Sequence, residues 1–313
     1  MSSNAISAHA EPEHRERAGQ PAVQPSSMYN AQLWRVGLKI ASASPGGMLR
    51  SIAGGASALY AKAKPQRHEI VVQNLLPVLG DRKLAEQAAT QMFSHFGSKL
   101  VDVLRCEAGK PAREMLGDLV NADYVLKTQA RGQGTLIVTP HLGNWEFGGY
   151  ILAERGIKLH VVTLVEPGEG LTELRQSCRA RSGIETIVIG NDPFAIVEVI
   201  KRLQEGGTMA LLIDRPPKSV ATTVEFFGRP FVAAIAAAEL ARASGCVIAP
   251  VIIPRVKNGY RVELLQPVPY DRAALNERGA RQQLTQNIMR AFEPSVRKYA
   301  DQWYHFVPIW PEQ

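Results

Sequence analysis

The sequence predicts an α/β fold, a mostly parallel central sheet flanked by helices, with an N-terminal helical region ahead of it. Short β-branched runs recur at 135–139, 159–164, 186–189, 208–213 and 247–253. Helix-like segments lie between them, at about 143–155, 170–181, 192–205 and 232–244. Strands alternating with helices are the pattern of a parallel sheet covered on both faces. At 313 residues, 45% hydrophobic and 21% charged, the chain has the length and apolar content for a sizeable core.

Residues 1–27 are rich in Ala, Ser, Pro, Glu and Gln without periodicity, and read as a disordered tail. This stretch lacks the hydrophobic segment of a signal peptide. Residues 28–67 change character. Arg35, Lys39, Arg50, Lys62, Lys64 and Arg67 punctuate small and apolar residues, and no acidic residue intervenes. Trp34, Leu38 and Ala41 fall at helical spacing, and Pro45-Gly46-Gly47 breaks the run before it resumes. Two basic amphipathic helices joined by a turn fit this pattern. Such a pair can lie in a lipid headgroup layer, with apolar contacts from Trp34, Leu38, Leu49 and Tyr60, or it can simply cover the main domain. No run approaches the roughly 18 apolar residues that suggest a spanning helix. Residues 68–313 form the main domain, in which 69–104 reads as helices with Asp81 capping the second. Cys106, Cys178 and Cys246 have no metal-ligand spacing, a reducing-compartment pattern.

In an open parallel sheet, functional residues gather beyond the carboxyl ends of the strands. His141 and Asp214 both fall there, each directly after an apolar run. His141 sits in Thr139-Pro140-His141-Leu142-Gly143-Asn144-Trp145-Glu146, and Pro140 biases Thr139 toward an extended strand end. On a straight helix His141 and Glu146 would point roughly 140° apart. They converge only if His141 lies in the turn and Glu146 in the first helical turns. A helix beginning near Gly143 or Asn144 would turn its positive end toward His141 and keep the imidazole neutral. Glu146 is then expected to hold the other ring nitrogen, as the steadying carboxylate of a general base. A structural histidine at a strand end, with Glu146 exposed, is the competing reading.

Asp214 is followed by Arg215-Pro216-Pro217 and also suits a turn-forming aspartate. Arg175, Arg179 and Arg181 crowd one helix end before Gly183, either as a phosphate clamp or as a solvated basic face. Phe226-Phe227-Gly228 combines aromatics with a tight turn and suits an apolar pocket or the core, an ambiguity that Trp303 and Tyr304 share. There is no Gly-x-Ser-x-Gly elbow, no Walker-type phosphate loop and no complete dinucleotide loop. No metal or cofactor is expected.

These pieces, in this order, resemble the bacterial lipid A late acyltransferases, the lauroyl/myristoyl transferase family within the broader lysophospholipid acyltransferase-like group. The resemblance runs from about residue 66 to 307. It rests on Asn74-Leu75, the His141-x4-Glu146 block, Arg179 before Gly183, and Asp214 after its apolar strand. It continues through Phe226-Phe227-Gly228-Arg229-Pro230, then 241–253, then Glu293 with Arg297, Gln302, Trp303 and Tyr304. It implies an acyltransferase-like fold and a catalytic dyad of His141 and Glu146, with Arg179 and Asp214 supporting the site. Substrate binding is expected to fall to Asn144, Arg175, Arg179, Asp214, Phe226, Phe227 and Gly228. The sequence departs from the family where Arg-Pro-Pro follows Asp214, and where His305-Phe306-Val307-Pro308 replaces a basic stretch. The Phe-Pro-Glu-Gly-Thr motif of glycerolipid acyltransferases is missing, which favours a glycolipid acceptor over a lysophospholipid.

The expected function is therefore O-acyl transfer from an acyl thioester to a hydroxyl of a membrane lipid, of lipid A or other glycolipid type. The donor is an acyl carrier protein or coenzyme A, and the net charge of +7 favours an acidic carrier. The expected location is the cytoplasmic face of the bacterial inner membrane, peripheral or shallowly anchored. A catalytically silent membrane- or carrier-binding protein of the same fold is the alternative from another class. Nucleic acid is not an expected partner, since the basic residues are not interleaved with exposed aromatics.

Overall fold

A computed structural model describes residues 30–166, 168–190 and 194–311. The tail expected over 1–27 lies outside the described residues. Four helices open the chain: α1 (Ala31–Ala43), α2 (Gly46–Ala63), α3 (Pro65–Leu79) and α4 (Arg82–Glu107). Asn30 caps α1 by accepting from Gln32 N at 2.8 Å and Leu33 N at 3.2 Å, and Asp81 caps α4 by accepting from Leu84 N at 2.8 Å. Pro65 starts α3, and Gly80, with φ of 70°, ends it. The long α4 is the spine against which the other three rest.

The alternating region comes next as β1 (Leu116–Val120), α5 (Asp123–Ala130), β2 (Thr135–Thr139), α6 (Trp145–Glu154), β3 (Leu159–Leu164), α7 (Leu171–Ala180) and β4 (Ile184–Ile189). Then come α8 (Phe194–Gln204), β5 (Thr208–Leu212), β6 (Ala221–Phe226), β7 (Arg229–Ala234), α9 (Ala236–Ser244) and β8 (Val247–Ile252). The chain closes with β9 (Arg255–Val256), β10 (Gly259–Leu264) and α10 (Arg278–Lys298). The sheet order is β1-β10-β8-β2-β5-β3-β4 with β9 on β10. Strands β8, β2, β5, β3 and β4 run parallel, while β10 is antiparallel to β8 and parallel to β1. This is the mixed α/β architecture, with a mostly parallel sheet and an N-terminal helical region, that the alternation predicts. Central β2 is buried along its whole length, as a strand covered on both faces must be. Leu136 and Val138 join the layer containing Met289 and Phe292 of α10, and Ile137 joins the layer of Phe147 and Ile151 of α6.

One expected helix is corrected. Residues 232–234 are strand β7 rather than the start of a helix, because β6 and β7 form a hairpin whose turn is Phe227-Gly228. Both turn residues have positive φ, 52° and 71°, which suits the twist of a two-residue hairpin loop. The apolar faces of α1 and α2 also differ from expectation. Trp34, Leu38 and Leu49 are half-buried, whereas Leu33, Val36, Ile40, Met48, Ile52 and Leu59 are exposed together with Tyr60. Spacings of three, four and seven place the exposed six as a stripe on the outward side of each helix. Each helix thus carries a packing face toward α4 and a second apolar face that points away. Among the described residues, no helix is long and apolar enough to cross a membrane.

Small residues let α2 lie close against α4. A Cβ added at Gly97 would stand 2.5 Å from the Ala53 carbonyl oxygen, and one at Gly54 would stand 2.9 Å from Ser94 Oγ. Gly97→Val should therefore force the helices apart and lower stability by about 1–3 kcal/mol. Urea denaturation reads this directly; an unchanged midpoint would contradict the close crossing.

Candidate active site

Register brings the two strand-end residues together. Strands β2 and β5 are parallel neighbours with Thr139 opposite Leu212. His141 and Asp214 each lie two residues beyond, so they leave adjacent strand ends side by side. The Asp214 carboxylate accepts from the His141 backbone N–H at 2.9 Å through Oδ2, and meets His141 Nδ1 at 2.5 Å through Oδ1. The steadying carboxylate is therefore Asp214, and Glu146, expected in that place, is engaged elsewhere.

The turn from β2 into α6 requires glycine. Gly143 has φ of 64°, and a Cβ there would fall against the Ile253 backbone, 2.5 Å from its carbonyl carbon. Its N–H donates to the Gln302 carbonyl at 2.9 Å, and the Tyr304 N–H donates back to the His141 carbonyl at 2.9 Å. Residues 302–305 thus strap the turn in place. Asn74 anchors the far end of this strap: its Nδ2 donates to the carbonyls of His305 at 2.9 Å and Val307 at 2.8 Å. The strap delivers two more donors to Asp214 Oδ2, Trp303 Nε1 at 3.0 Å and His305 Nε2 at 2.9 Å.

These contacts determine the tautomers. Arg215 Nε donates to His305 Nδ1 at 3.3 Å, so His305 carries its proton on Nε2 and gives it to Asp214. Arg215 also donates to the Tyr304 carbonyl. His141 correspondingly donates from Nδ1, which leaves a lone pair on Nε2. Burial, and then the Arg215 guanidinium, push the His141 imidazolium down to about 4 despite the adjacent carboxylate, and His305 falls to about 4 for the same reasons. Burial works against the Asp214 charge, yet its two histidine partners hold the carboxyl well below the usual carboxylate range. The His141 side chain remains 13% exposed while Asp214 is sealed at 0%, the disposition of a base reached from one side.

A second buried network lies beside this pair. Glu146 Oε2 accepts from Lys99 Nζ at 2.7 Å, and Oε1 is held by Arg175. Arg175 also meets Glu107 at 3.0 Å through Nε and Glu166 at 2.7 Å through Nη1. Arg179 stands 3.9 Å from Glu146. Burial, then Arg175 and Arg215, push the Lys99 ammonium well below its ordinary value. Lys99 Nζ sits 3.5 Å over the Trp145 ring, whose plane meets the His141 imidazole edge-on at 4.8 Å. Arg175 and Arg179 are thus brought together with Glu146, buried and ion-paired rather than splayed on a solvated face.

Asn144 caps α6 by accepting from Phe147 N at 3.2 Å, a local structural role. Phe226 is buried in the core against Phe231 and Trp303, at centroid distances of 5.3 and 5.8 Å. Phe227 and Gly228 form the hairpin turn; Phe227 N donates to Glu293 at 3.0 Å and Arg297 covers its ring at 5.4 Å. This hairpin backs Trp303, and through it Asp214. Among the described residues no group of three His, Cys, Asp or Glu side chains is arranged to hold a metal. Sequence reasoning passed over Lys99, Glu107, Glu166 and the partnership of His305 with Asp214. The pairing of His305 with Trp303 two positions earlier, across a strap, was the available signal.

The buried neutral histidines make stability depend on pH. Unfolded histidine titrates near 6.5, whereas His141 and His305 titrate at about 4 in the fold. Between those values the unfolded chain binds more protons, so their contribution is intact above about pH 6.5 and declines as pH falls toward 4. Each histidine contributes a slope approaching about 1.4 kcal/mol per pH unit. Chemical denaturation between pH 7 and 4.5 should show this loss, and His305→Gln should reduce the proton uptake by about one.

The phosphatidylinositol mannoside acyltransferase of Mycobacterium tuberculosis is 24% identical over 206 residues, which cover 64% of this chain and 62% of that protein, less than two thirds of its length. The phosphatidylinositol mannoside acyltransferase of Mycolicibacterium smegmatis is 22% identical over 284 residues, 88% of this chain and 90% of its own. The sequence profile of the bacterial lipid A biosynthesis acyltransferases matches residues 18–311. That span takes in the basic helical pair, the His141 turn and the strap over Asp214 alike, and the chain belongs to the bacterial lipid A biosynthesis acyltransferase family.

Proposed function

We propose that this protein is an O-acyltransferase that moves a fatty acyl group from an acyl thioester to a hydroxyl of a membrane glycolipid. The observation that carries this reading is the neutral His141, its Nδ1 proton given to Asp214 and its Nε2 free as a base. His141 Nε2 removes the proton of the acceptor hydroxyl as that oxygen attacks the thioester carbonyl. The tetrahedral intermediate expels the thiolate, which takes the proton back from His141, leaving an ester and a free thiol. The positive end of α6, with the Lys99 and Arg215 cations nearby, suits the oxyanion of that intermediate. Asp214 holds the tautomer and balances the transient imidazolium. Glu146 acts at one remove, holding Lys99 against Trp145. The donor is an acyl carrier protein or coenzyme A; the basic balance supports an acidic carrier. A sugar-bearing lipid is the acceptor class that the mycobacterial relatives' names support.

The protein works at the cytoplasmic face of the inner membrane, held there by α1 and α2. The outward stripe of Leu33, Val36, Ile40, Met48, Ile52 and Leu59 supports a shallow apolar insertion. Exposed Arg35, Lys39, Lys62, Lys64 and Arg67 add attraction to anionic lipid, about 1 kcal/mol each close to the surface. Arg50 drops out of that set, since it pairs with buried Asp102 at 2.9 Å.

Transfer of radiolabelled acyl groups to a lipid extract tests the chemistry. His141→Ala should lower turnover about 10²- to 10⁴-fold, and Asp214→Asn, which leaves the wrong tautomer, should lower it by up to about 10⁴-fold. Glu146→Gln should cost less than either. Normal turnover by folded His141→Ala protein, or a wild type that neither transfers nor hydrolyses thioester, would instead favour a silent binding protein. Co-sedimentation with vesicles containing anionic lipid tests the docking. Replacing Leu33, Val36 and Ile40 together with Gln should weaken binding at least about tenfold, and undiminished binding would place the membrane surface elsewhere.

A further inference from the structure

Helix α1 touches the charged network directly. Trp34 Nε1–H donates to Glu107 Oε2 at 2.5 Å, and its ring lies 4.9 Å from the Arg175 guanidinium carbon. Glu107 is almost fully buried, so its two oxygens depend on their protein partners: Trp34 on Oε2, and Arg175 Nε on Oε1 at 3.0 Å. A guanidinium is a rigid planar fork. Once its Nε edge is set by Glu107 and one face is covered by an indole, the direction of Nη2 toward Glu146 is set as well. Glu146 then holds Lys99 at 2.7 Å, Lys99 sits 3.5 Å over Trp145, and Trp145 walls the His141 ring at 4.8 Å.

We propose that Trp34 is a positioning residue for acyl transfer, aligning Glu146, Lys99 and Trp145 at the base through Glu107 and Arg175, so that α1 is a working part of the catalytic site. This rests on the acyl-transfer reading above. The same short helix carries Leu33, Val36 and Ile40 outward. Whatever seats that outer face also seats Trp34, and the site is fully aligned only when α1 is in place. Loss of the indole N–H would leave a buried carboxylate oxygen unmatched, and Glu107 would turn to find another donor, taking Arg175 with it.

Trp34→Phe isolates this effect. An aromatic ring remains at the position while the N–H donor is removed, and α1 retains its independent attachment, since Arg105 donates to the carbonyls of Ala41 at 3.3 Å and Ser44 at 3.1 Å. In the full-length protein, kcat for acyl transfer should fall about ten- to a hundredfold with the acceptor KM unchanged. In a Glu146→Gln background the same substitution should cost nothing further, because the two act in one chain. Hydrogen exchange, which needs no activity, should quicken in 145–154 and 171–180 as well as in α1. A purely structural staple predicts otherwise. Unchanged kcat, losses that multiply with Glu146→Gln, or faster exchange confined to 31–43 would each overturn the proposal. Should the wild type show no transfer at all, the functional reading fails, and the exchange pattern alone decides whether Trp34 positions the network.

Discussion

Everything at the candidate site depends on one buried carboxylate being fully satisfied. Asp214 has no exposure to water and accepts from four donors: a backbone amide and a ring nitrogen of His141, the Trp303 indole and His305. A buried charge is tolerated only when hydrogen bonds replace its lost hydration. The four donors come from the β2 turn and the C-terminal strap, so satisfying Asp214 ties β5 to both. In doing so they fix which nitrogen of His141 carries a proton, and hence which one is available as a base.

The site separates its carboxylates by partner. Asp214 is matched by imidazoles and an indole, groups that give hydrogen bonds without a permanent positive charge. Glu146, Glu107 and Glu166 all meet Arg175, which does carry one, and Glu146 also accepts from Lys99. Burial, and then the Arg215 cation, keep His141 neutral, and the carboxylates around Arg175 and Lys99 offset the positive charge gathered beside it. The effect is a largely buried site in which a neutral imidazole and a compensated charge lattice stand one aromatic ring apart.

Much of this was legible in the sequence, and the gaps have physical reasons. Apolar runs ending at Thr139 and Leu212 marked the central strands, because a strand buried on both faces must be continuously apolar. The sequence marks both strand-end residues, His141 and Asp214, but their mutual contact depends on β2 and β5 being neighbours, which sequence spacing does not express. Proximity along the chain suggests Glu146 as the partner of His141, whereas its actual partners Lys99 and Arg175 come from α4 and α7. The β6–β7 hairpin was hidden because Phe231 to Ala234 is as apolar as the helix after it, and the turn at Phe227 uses a positive φ that phenylalanine rarely adopts. On α1, both faces are apolar, so periodicity located a helix without saying which face turns inward.

The strap has a consequence for how the molecule is made. Asn74 grips His305 across 231 positions of chain, and Asp214 receives donors from residues 89 and 91 positions later. Contacts so distant in sequence are the last to form and the slowest to find. During synthesis, α1 and α2 emerge before any strand of the sheet and can form while the sheet is incomplete. The carboxylate at 214 would stay without half of its donors until the segment bearing Trp303 and His305 has left the ribosome. The base at His141 is thus assembled only after residues 303–305 have joined the ends of β2 and β5, although α1 and α2 form from local contacts well before.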